Sequence, residues 1–250
     1  MRVRRVAGRP VGRRTLLLAA VGSVLIGVGA AGMIRAGIGV TPWDVLTTAV
    51  AGRTPLTVGG AGAALSIAVY LLCAPFGRLP GWGNVVILFG VSGAIDLALA
   101  VIGEPDGLAL SVLLYAAAVP VVCFGVALIV RADIGVGPLE MVMLVATDRG
   151  VPLVRARVAI EVTTLTVGWL LGGALGLGTA GFALAAGPLI AVSLRLLDRP
   201  GPPGARQQRE APAHGRSGAG GEELEAGDGQ VAQHREAEGH HDPGHHRPAG

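Results

Sequence analysis

The stretch Arg35-Ala-Gly-Ile-Gly-Val-Thr-Pro-Trp-Asp44 recurs in the second half of the chain as Arg131-Ala-Asp-Ile-Gly-Val-Gly-Pro-Leu-Glu140. Each copy follows one long apolar run and precedes a second run that ends in a Leu-Leu pair. A Gly-x-Gly and a helix-capping residue come next, as Gly81-Trp-Gly-Asn84 or Gly176-Leu-Gly-Thr179, before a third apolar run. The chain therefore contains an internal repeat built from three apolar runs and one motif.

The apolar runs are long enough to cross a lipid bilayer. Hydrophobic residues make up 51% of the 250 residues and charged residues only 15%, a composition too apolar for a soluble domain of this size. A helix needs about 20 apolar residues to cross the hydrocarbon core. Runs near this length lie at residues 15–34, 58–74, 85–102, 108–130, 158–175 and 179–197. We predict an all-α polytopic membrane bundle of six transmembrane helices.

An odd number of spans in each repeat sets the relative orientation of the two halves. Three crossings place the start of the second repeat (residues 108–197) on the opposite side from the start of the first (residues 15–103). The first motif then lies outside and the second inside, which is an inverted-topology repeat. Secondary transporters are often built this way, with the binding site between the halves and near interrupted helices.

The arginine distribution predicts the orientation in the membrane. All 20 basic residues are Arg, and six of them occur in the N-terminal segment, residues 1–14. The positive-inside rule places this segment in the cytoplasm, and six crossings return the C-terminus to the same side. The acidic loop at residues 103–107 then lies outside, and only Arg35 and Arg53 fall on the unexpected side. We expect a multi-pass protein of the bacterial inner membrane.

Residues 200–250 differ from the rest of the chain. They are rich in Gly, Pro, Glu, Gln, Arg and His and contain almost no large apolar residue, so we predict a disordered cytoplasmic tail. All six His lie there; pairs of His can bind a metal weakly, but such a stretch is more often incidental. We predict no metal site and no cofactor. We also predict no nucleic-acid partner, because the arginines outside the tail mark the ends of spans.

Each motif has the residue order of a helix start. Thr41 suits the N-cap, Pro42 the first helical position, and Asp44 can bond back to the cap as in a capping box. The second motif repeats this order with Gly137 as the cap. We predict two short helices, which end near Gly52 and Arg149 in the two halves. They are either functional broken helices or interfacial linkers, and the sequence leaves both readings open.

Asp96 is the acid placed deepest in a predicted span. It lies about 16 Å from the span's start at 1.5 Å per residue, and an acid at a helix centre costs about 3 kcal/mol on insertion scales. Asp96 should face the bundle interior or water, as an ion-handling or a structural residue. We expect it to meet both helix starts in one water-accessible cavity. The candidate substrate-binding residues are Thr41, Pro42, Trp43, Asp44, Asp96, Asp133, Gly137, Pro138 and Glu140.

Arg157 and Glu161 are four residues apart and share one face of a helix. Their span begins on the cytoplasmic side, so the pair is expected to be shallow. We predict a structural ion pair rather than a ligand site.

The sequence from residue 16 to residue 197 resembles the uncharacterised YczE-type bacterial membrane proteins, which include relatives of the YyaS and YitT types. The resemblance is carried by Gly39-Val-Thr-Pro-Trp-Asp44, Ala132-Asp-Ile-Gly-Val-Gly-Pro138, Arg157-Val-Ala-Ile-Glu161 and Gly168-Trp-Leu-Leu-Gly-Gly173. It implies a multi-span inner-membrane protein and supplies no reaction, substrate or catalytic residue. One departure is Leu139-Glu140, where the family is expected to have Arg-Asp.

Two functions remain open after these observations. The repeat and Asp96 favour a small secondary transporter or permease for a small solute or ion. An acid in the first turn of each short helix offsets the positive helix N-terminus, which favours a cationic or neutral ligand over an anion. The alternative is a non-transporting regulatory or assembly factor that binds a partner. We predict no enzyme, because the spans contain no His and the chain has no GxSxG or HExxH constellation.

Overall fold

The computed structural model describes residues 4–5 and 12–198. Within these residues the chain is an all-α bundle of eight helices, which confirms the predicted fold class. They are α1 (Arg13–Ala36), α2 (Pro42–Ala51), α3 (Val58–Cys73), α4 (Trp82–Val101), α5 (Leu108–Ala132), α6 (Pro138–Thr147), α7 (Leu153–Leu170) and α8 (Leu177–Leu197). The expected tail, residues 200–250, and most of the Arg-rich N-terminal segment lie outside the described residues.

Five of these helices are long and apolar enough to cross a membrane: α1, α3 with its following 3-10 turn (Ala74–Phe76), α4, α5 and α8. The sixth predicted span corresponds to α7, which has 18 residues but carries Arg155, Arg157 and Glu161. It begins near residue 153 rather than 158, because Arg is a good helix former although it lowers hydropathy. It ends at Leu170, since Gly172 adopts φ +73° and stops the helix.

The predicted short helices are present in both halves. Pro42 and Pro138 occupy the first helical position of α2 and α6, and the helices end at Ala51 and Thr147, close to the predicted ends. Their missing amide hydrogens cost nothing there, because the first turn has no acceptor for them. The described chain therefore consists of two copies of one pattern, a long helix, a short helix and two further long helices.

The packing of the helices follows the same repeat. α1 packs on α4 as α5 packs on α8, while α2 and α6 each pack on both α3 and α7. α1 and α5 cross at the centre through small residues: the backbones approach at Gly22 and Gly125, and again at Gly29 and Ala118. Small residues are what allow helices to pack closely where lipid removes the hydrophobic driving force.

One contact breaks the correspondence between the halves. α3 packs along α4, but the equivalent helix α7 is held mainly by α2 and α6 and does not pack to the same extent on α8. The two halves thus share a sequence pattern and differ in how their third helix is placed.

A two-residue strand, β1 (Arg4–Arg5), pairs in parallel with β2 (Arg78–Leu79) in the turn between α3 and α4. This pairing brings the backbone of Arg4–Arg5 to the end of the bundle where α3 ends and α4 begins.

Candidate functional site

Each half of the chain docks its motif onto a helix start of the other half. We call the contact of residues 38–44 with residues 176–179 the first junction. We call the contact of residues 134–140 with residues 81–84 the second junction. The motif loops therefore cross between the halves, a feature that the repeat alone does not reveal.

The first junction is held by backbone and side-chain hydrogen bonds. The amide of Gly178 donates to the carbonyl of Ile38 at 3.0 Å, and the amide of Val40 donates to the Thr179 hydroxyl at 3.2 Å. The hydroxyl of Tyr115 donates to the carbonyl of Gly178. Thr179, expected only as a cap of its own helix, thus binds the opposite motif.

The second junction uses different side chains for the same purpose. The side-chain amide of Asn84 donates to the carbonyl of Val136, which also accepts from the Tyr70 hydroxyl at 3.0 Å. The Asn84 side-chain oxygen accepts from the amide of Gly81 at 3.1 Å. Asn84 is fully buried, so its polar atoms need these partners.

Glycines allow the backbones to touch in both junctions. A Cβ on Gly176 would lie 2.6 Å from the carbonyl carbon of Ile38, and one on Gly83 would lie 2.5 Å from the carbonyl carbon of Ile134. Both distances are far inside the 3.5 to 4.0 Å at which carbon atoms optimally contact. The repeated Gly-x-Gly is therefore explained by close approach to the opposite motif, and not by a phosphate.

The two helix starts are capped differently. The Thr41 hydroxyl accepts from the amide of Asp44 at 3.2 Å and donates to the Asp44 carboxylate at 2.7 Å. The predicted bond from the acid to the cap amide is replaced by this bond between side chains. In the second motif Gly137 has no side chain to offer, and the exposed Glu140 folds back over it.

Asp44 is a buried acid at the start of α2, outside the long helices. Only 5% of its surface is exposed. Burial raises the pKa of its carboxyl to about 6, although the hydrogen bond from Thr41 lowers it. The neutral form of an acid is favoured where water is excluded.

The residues that follow α1 and α5 are equivalent in conformation. Gly37 and Asp133 both adopt the left-handed conformation that ends a helix, with φ +67° and +51°. Asp133 is exposed and is the one non-glycine residue with positive φ in the described part of the chain. Asp is among the few residues that tolerate this conformation.

The arginine at the start of each motif ties two helix ends together. Arg35 donates to the Leu99 carbonyl and to Glu104 at 3.2 Å, at the end of α4. Arg131 donates to Asp198 at 2.7 Å, just beyond α8. The positive-inside rule does not predict an arginine at the position of Arg35. Its ion pair with Glu104 and its hydrogen bond to a carbonyl at the end of α4 offset its charge.

Asp96 caps the start of α3. Its carboxylate accepts from the Thr57 hydroxyl at 2.7 Å and from the amide of Gly59 at 2.8 Å. The amide of Gly59 is one of the backbone donors that a helix start leaves without an intrahelical partner. If Asp96 is a structural residue, its role is to join α4 to the start of α3 through these two hydrogen bonds.

The predicted site residues fall in three separate clusters. The first motif lies in the first junction, the second motif in the second junction, and Asp96 at the start of α3. Asp96 is about 18 Å along α4 from Asn84, at 1.5 Å per residue. None of the hydrogen bonds found among the described residues joins one of these clusters to another, and substrate binding by these residues stays a prediction.

Arg157 and Glu161 form the ion pair that their spacing suggests, with Nε and Oε1 2.9 Å apart. Both side chains are substantially exposed, at 60% and 39%. Such a pair on a helix surface contributes only about 0.3 to 0.5 kcal/mol in water. Glu161 lies about 12 Å along α7 from its start at 1.5 Å per residue, and the shallow position of the pair in the membrane stays a prediction.

The tyrosines are the site residues that sequence reasoning missed. The chain has two, Tyr70 and Tyr115, and each donates its hydroxyl to a backbone carbonyl in one junction. A buried tyrosine hydroxyl needs a partner, so the rarity of tyrosine in these lipophilic helices was the available signal. Their positions are not equivalent in the repeat, which hid their common role.

The described residues hold no group of three or more His, Cys, Asp or Glu side chains that could bind a metal. Cys73 and Cys123 are buried free thiols, as expected from their place in apolar runs. The His-rich stretch lies outside the described residues.

Comparison with known proteins finds a family and relatives of unknown function. A profile described as a family of unknown function (DUF6198) matches residues 13–195. An uncharacterised protein of Haemophilus influenzae is 26% identical over 70% of this chain and 81% of its own length. The uncharacterised membrane protein YczE of Bacillus subtilis is 25% identical over 63% of this chain and 74% of its own. No solved structure matches. The similarity to YczE, with the long apolar helices, identifies this chain as a membrane protein.

Proposed function

Since this chain belongs to the DUF6198 family, a family of unknown function, we propose from its own geometry that it is a small secondary transporter or permease. It would work by alternating access between its two inverted halves, and carry a small solute or ion of cationic or neutral character.

The observation that supports transport is the difference between the third helices of the two halves. α3 is fixed to α4 along its length and at its start by Asp96, whereas α7 leaves α8 largely uncovered. In inverted-repeat transporters one repeat has the conformation that the other adopts in the opposite state. The arrangement corresponds to one of two such states.

The second state follows from exchanging the two arrangements. α7 would close against α8 while α3 moves away from α4 and releases the Asp96 cap. The short helices α2 and α6 contact both moving helices, so they are the elements that transmit the change. The junctions remain fixed, because their glycine contacts leave no room for sliding.

The proposed orientation places both termini in the cytoplasm of a bacterial inner membrane. It is supported by the Arg-rich N-terminal segment and by the acidic loop at residues 103–107. The first junction then lies on the outer side and the second on the inner side.

Spin-label distances at equivalent pairs test this motion. One pair, Ala64 and Phe89, spans α3 and α4, and the pair Thr163 and Leu184 occupies the equivalent positions of α7 and α8; all four side chains are exposed. In a background without the two native cysteines and in lipid nanodiscs, we expect two distances for each pair. The shorter distance should dominate for the first pair and the longer for the second. A single narrow distance for both pairs would refute alternating access.

A second candidate function is supported by a different observation. The buried polar groups of the junctions and the Asp96 carboxylate all have intramolecular hydrogen-bond partners. This leaves them without a free group for a solute and favours a non-transporting regulatory or assembly factor that binds a partner. A rigid bundle in the distance measurement, with retention of a specific protein by the purified chain from its own membranes, would favour this function.

A further inference from the structure

An apolar groove opens between the end of α3 and the start of α4. Its volume is about 270 Å³ and its wall consists of apolar atoms only. The lining residues include Ile67, Leu71, Leu79, Pro80, Val85 and Phe89. Leu71 and Phe89 are 67% and 60% exposed, so the groove faces outward from the bundle. In a bilayer this surface is in contact with lipid chains.

Two arginines near the end of α3 differ in whether an acidic side chain neutralises them. Arg78, next to the lining residue Leu79, is 13% exposed and makes two hydrogen bonds of 2.8 Å to Asp148, which neutralises it. Arg149 instead lies 4.2 Å above the ring of Phe76, in the turn that follows α3. Among the described residues, no carboxylate lies within ion-pair distance of Arg149. A positive charge without a described carboxylate partner therefore stands over Phe76, two residues beyond Ala74, which lines the groove.

The strand β1 lies beside this end of the groove. The backbone of Arg4–Arg5 pairs with Arg78–Leu79, and the first 14 residues contain six arginines. The backbone of Arg5 therefore lies beside Leu79, which lines the groove. Basic pockets between transmembrane helices are known to take anionic lipid headgroups.

We infer that this groove is a binding site for an anionic phospholipid. One acyl chain lies along α3 and α4 in the groove, and the phosphate is held at the arginine end by Arg149. The positive charge of Arg149 favours an anionic over a zwitterionic headgroup. The apolar wall binds the acyl chain of either kind of lipid equally well. Because Tyr70 lines the groove and also donates to Val136, the bound lipid contacts the second junction directly.

Native mass spectrometry of the purified full chain tests this site, with phosphatidylglycerol and phosphatidylcholine added in equal amounts. We expect about fivefold preferential retention of one phosphatidylglycerol, the effect of one arginine near an anionic surface. Arg149→Gln should abolish the preference and leave weak retention of both lipids. Its control is Arg53→Gln, at the repeat-equivalent position of the other half, which should behave as the unmodified chain does.

Filling the groove should remove binding of both lipids. Leu71→Trp places a bulky ring in it, and Leu72→Trp is the control, since Leu72 is 69% exposed but does not line the groove. If Leu71→Trp fails to fold, Val85→Trp fills the same groove from α4. Equal retention of the two lipids by the unmodified chain would overturn the inference. So would undiminished phosphatidylglycerol binding in a folded groove-filled variant.

Discussion

Replacing the junction glycines by alanine should destabilise the protein, although alanine normally stabilises a helix. Gly83 and Gly93 both lie in α4, and a Cβ meets the Ile134 backbone at the first and nothing within 4 Å at the second. Gly→Ala at an unobstructed helical position gains about 0.5 to 1 kcal/mol. Inserting a methyl group into a filled space costs about 1 to 3 kcal/mol. Gly83→Ala should therefore be less stable than Gly93→Ala by about 1.5 to 4 kcal/mol.

The same comparison is available at the first junction. Gly176, the N-cap of α8, contacts the Ile38 backbone, while Gly181 within α8 has nothing within 4 Å of a Cβ. Thermal unfolding of the purified variants in detergent, followed by the loss of the monodisperse species, measures the difference. A spread of this size corresponds to at least several degrees in Tm. If Gly83→Ala and Gly176→Ala unfold at the same temperature as their controls, the crossed junctions are not close-packed.

Three further predictions concern Asp96, Thr41 and Asp44. Asp96→Leu should lower the free energy of unfolding by about 1 to 3 kcal/mol, because it leaves the buried amide of Gly59 without an acceptor. Asp96→Asn should cost less, since one acceptor oxygen remains. Equal losses of stability for the two variants in a denaturant titration would contradict the capping role of Asp96. Thr41→Ala should cost about 1 kcal/mol as an N-cap loss, and the exposed Thr54→Ala, whose hydroxyl only donates to a helix carbonyl, should change stability by less than half as much. The pKa of Asp44 is raised from 3.8 to about 6 in the folded chain, so stability should fall by up to about 3 kcal/mol as pH rises from about 4 to about 6 and then level. Asp44→Asn should remove that fall, and an unchanged pH profile would show that the acid is not buried.

The repeat and the apolar runs predicted the fold class and the order of the helices. Pro42 and Pro138 after a capping position indicated two short helices, and both exist with ends close to those expected. The start of α7 was misplaced because a hydropathy scan excludes Arg155 and Arg157, whereas helix propensity includes them. Local patterns therefore predicted the elements and were least accurate where charge and helix formation conflict.

The crossed junctions could not be predicted in the same way. Apolar helices in lipid carry no polar face that would indicate their neighbours, so nothing in Gly39 or Thr179 indicates that they meet. Asp96 could be recognised as a costly acid, but its partners Thr57 and Gly59 follow from the packing of α3 on α4. The difference between α3 and α7 is likewise a property of one conformation, and similar repeats do not encode which half is closed.

The most direct test of the account is whether α7 crosses the membrane, because this helix alone among the six long ones described is not apolar enough by composition. Reporter fusions that are active only on one side should be placed at Asp106, Arg149 and Gly172, in the loops before α5, before α7 and after α7. The inverted repeat predicts that Arg149 reports the cytoplasm while Asp106 and Gly172 report the opposite compartment. If Arg149 and Gly172 report the same compartment, α7 does not cross, the second half has two spans, and the two halves are not inverted three-helix repeats.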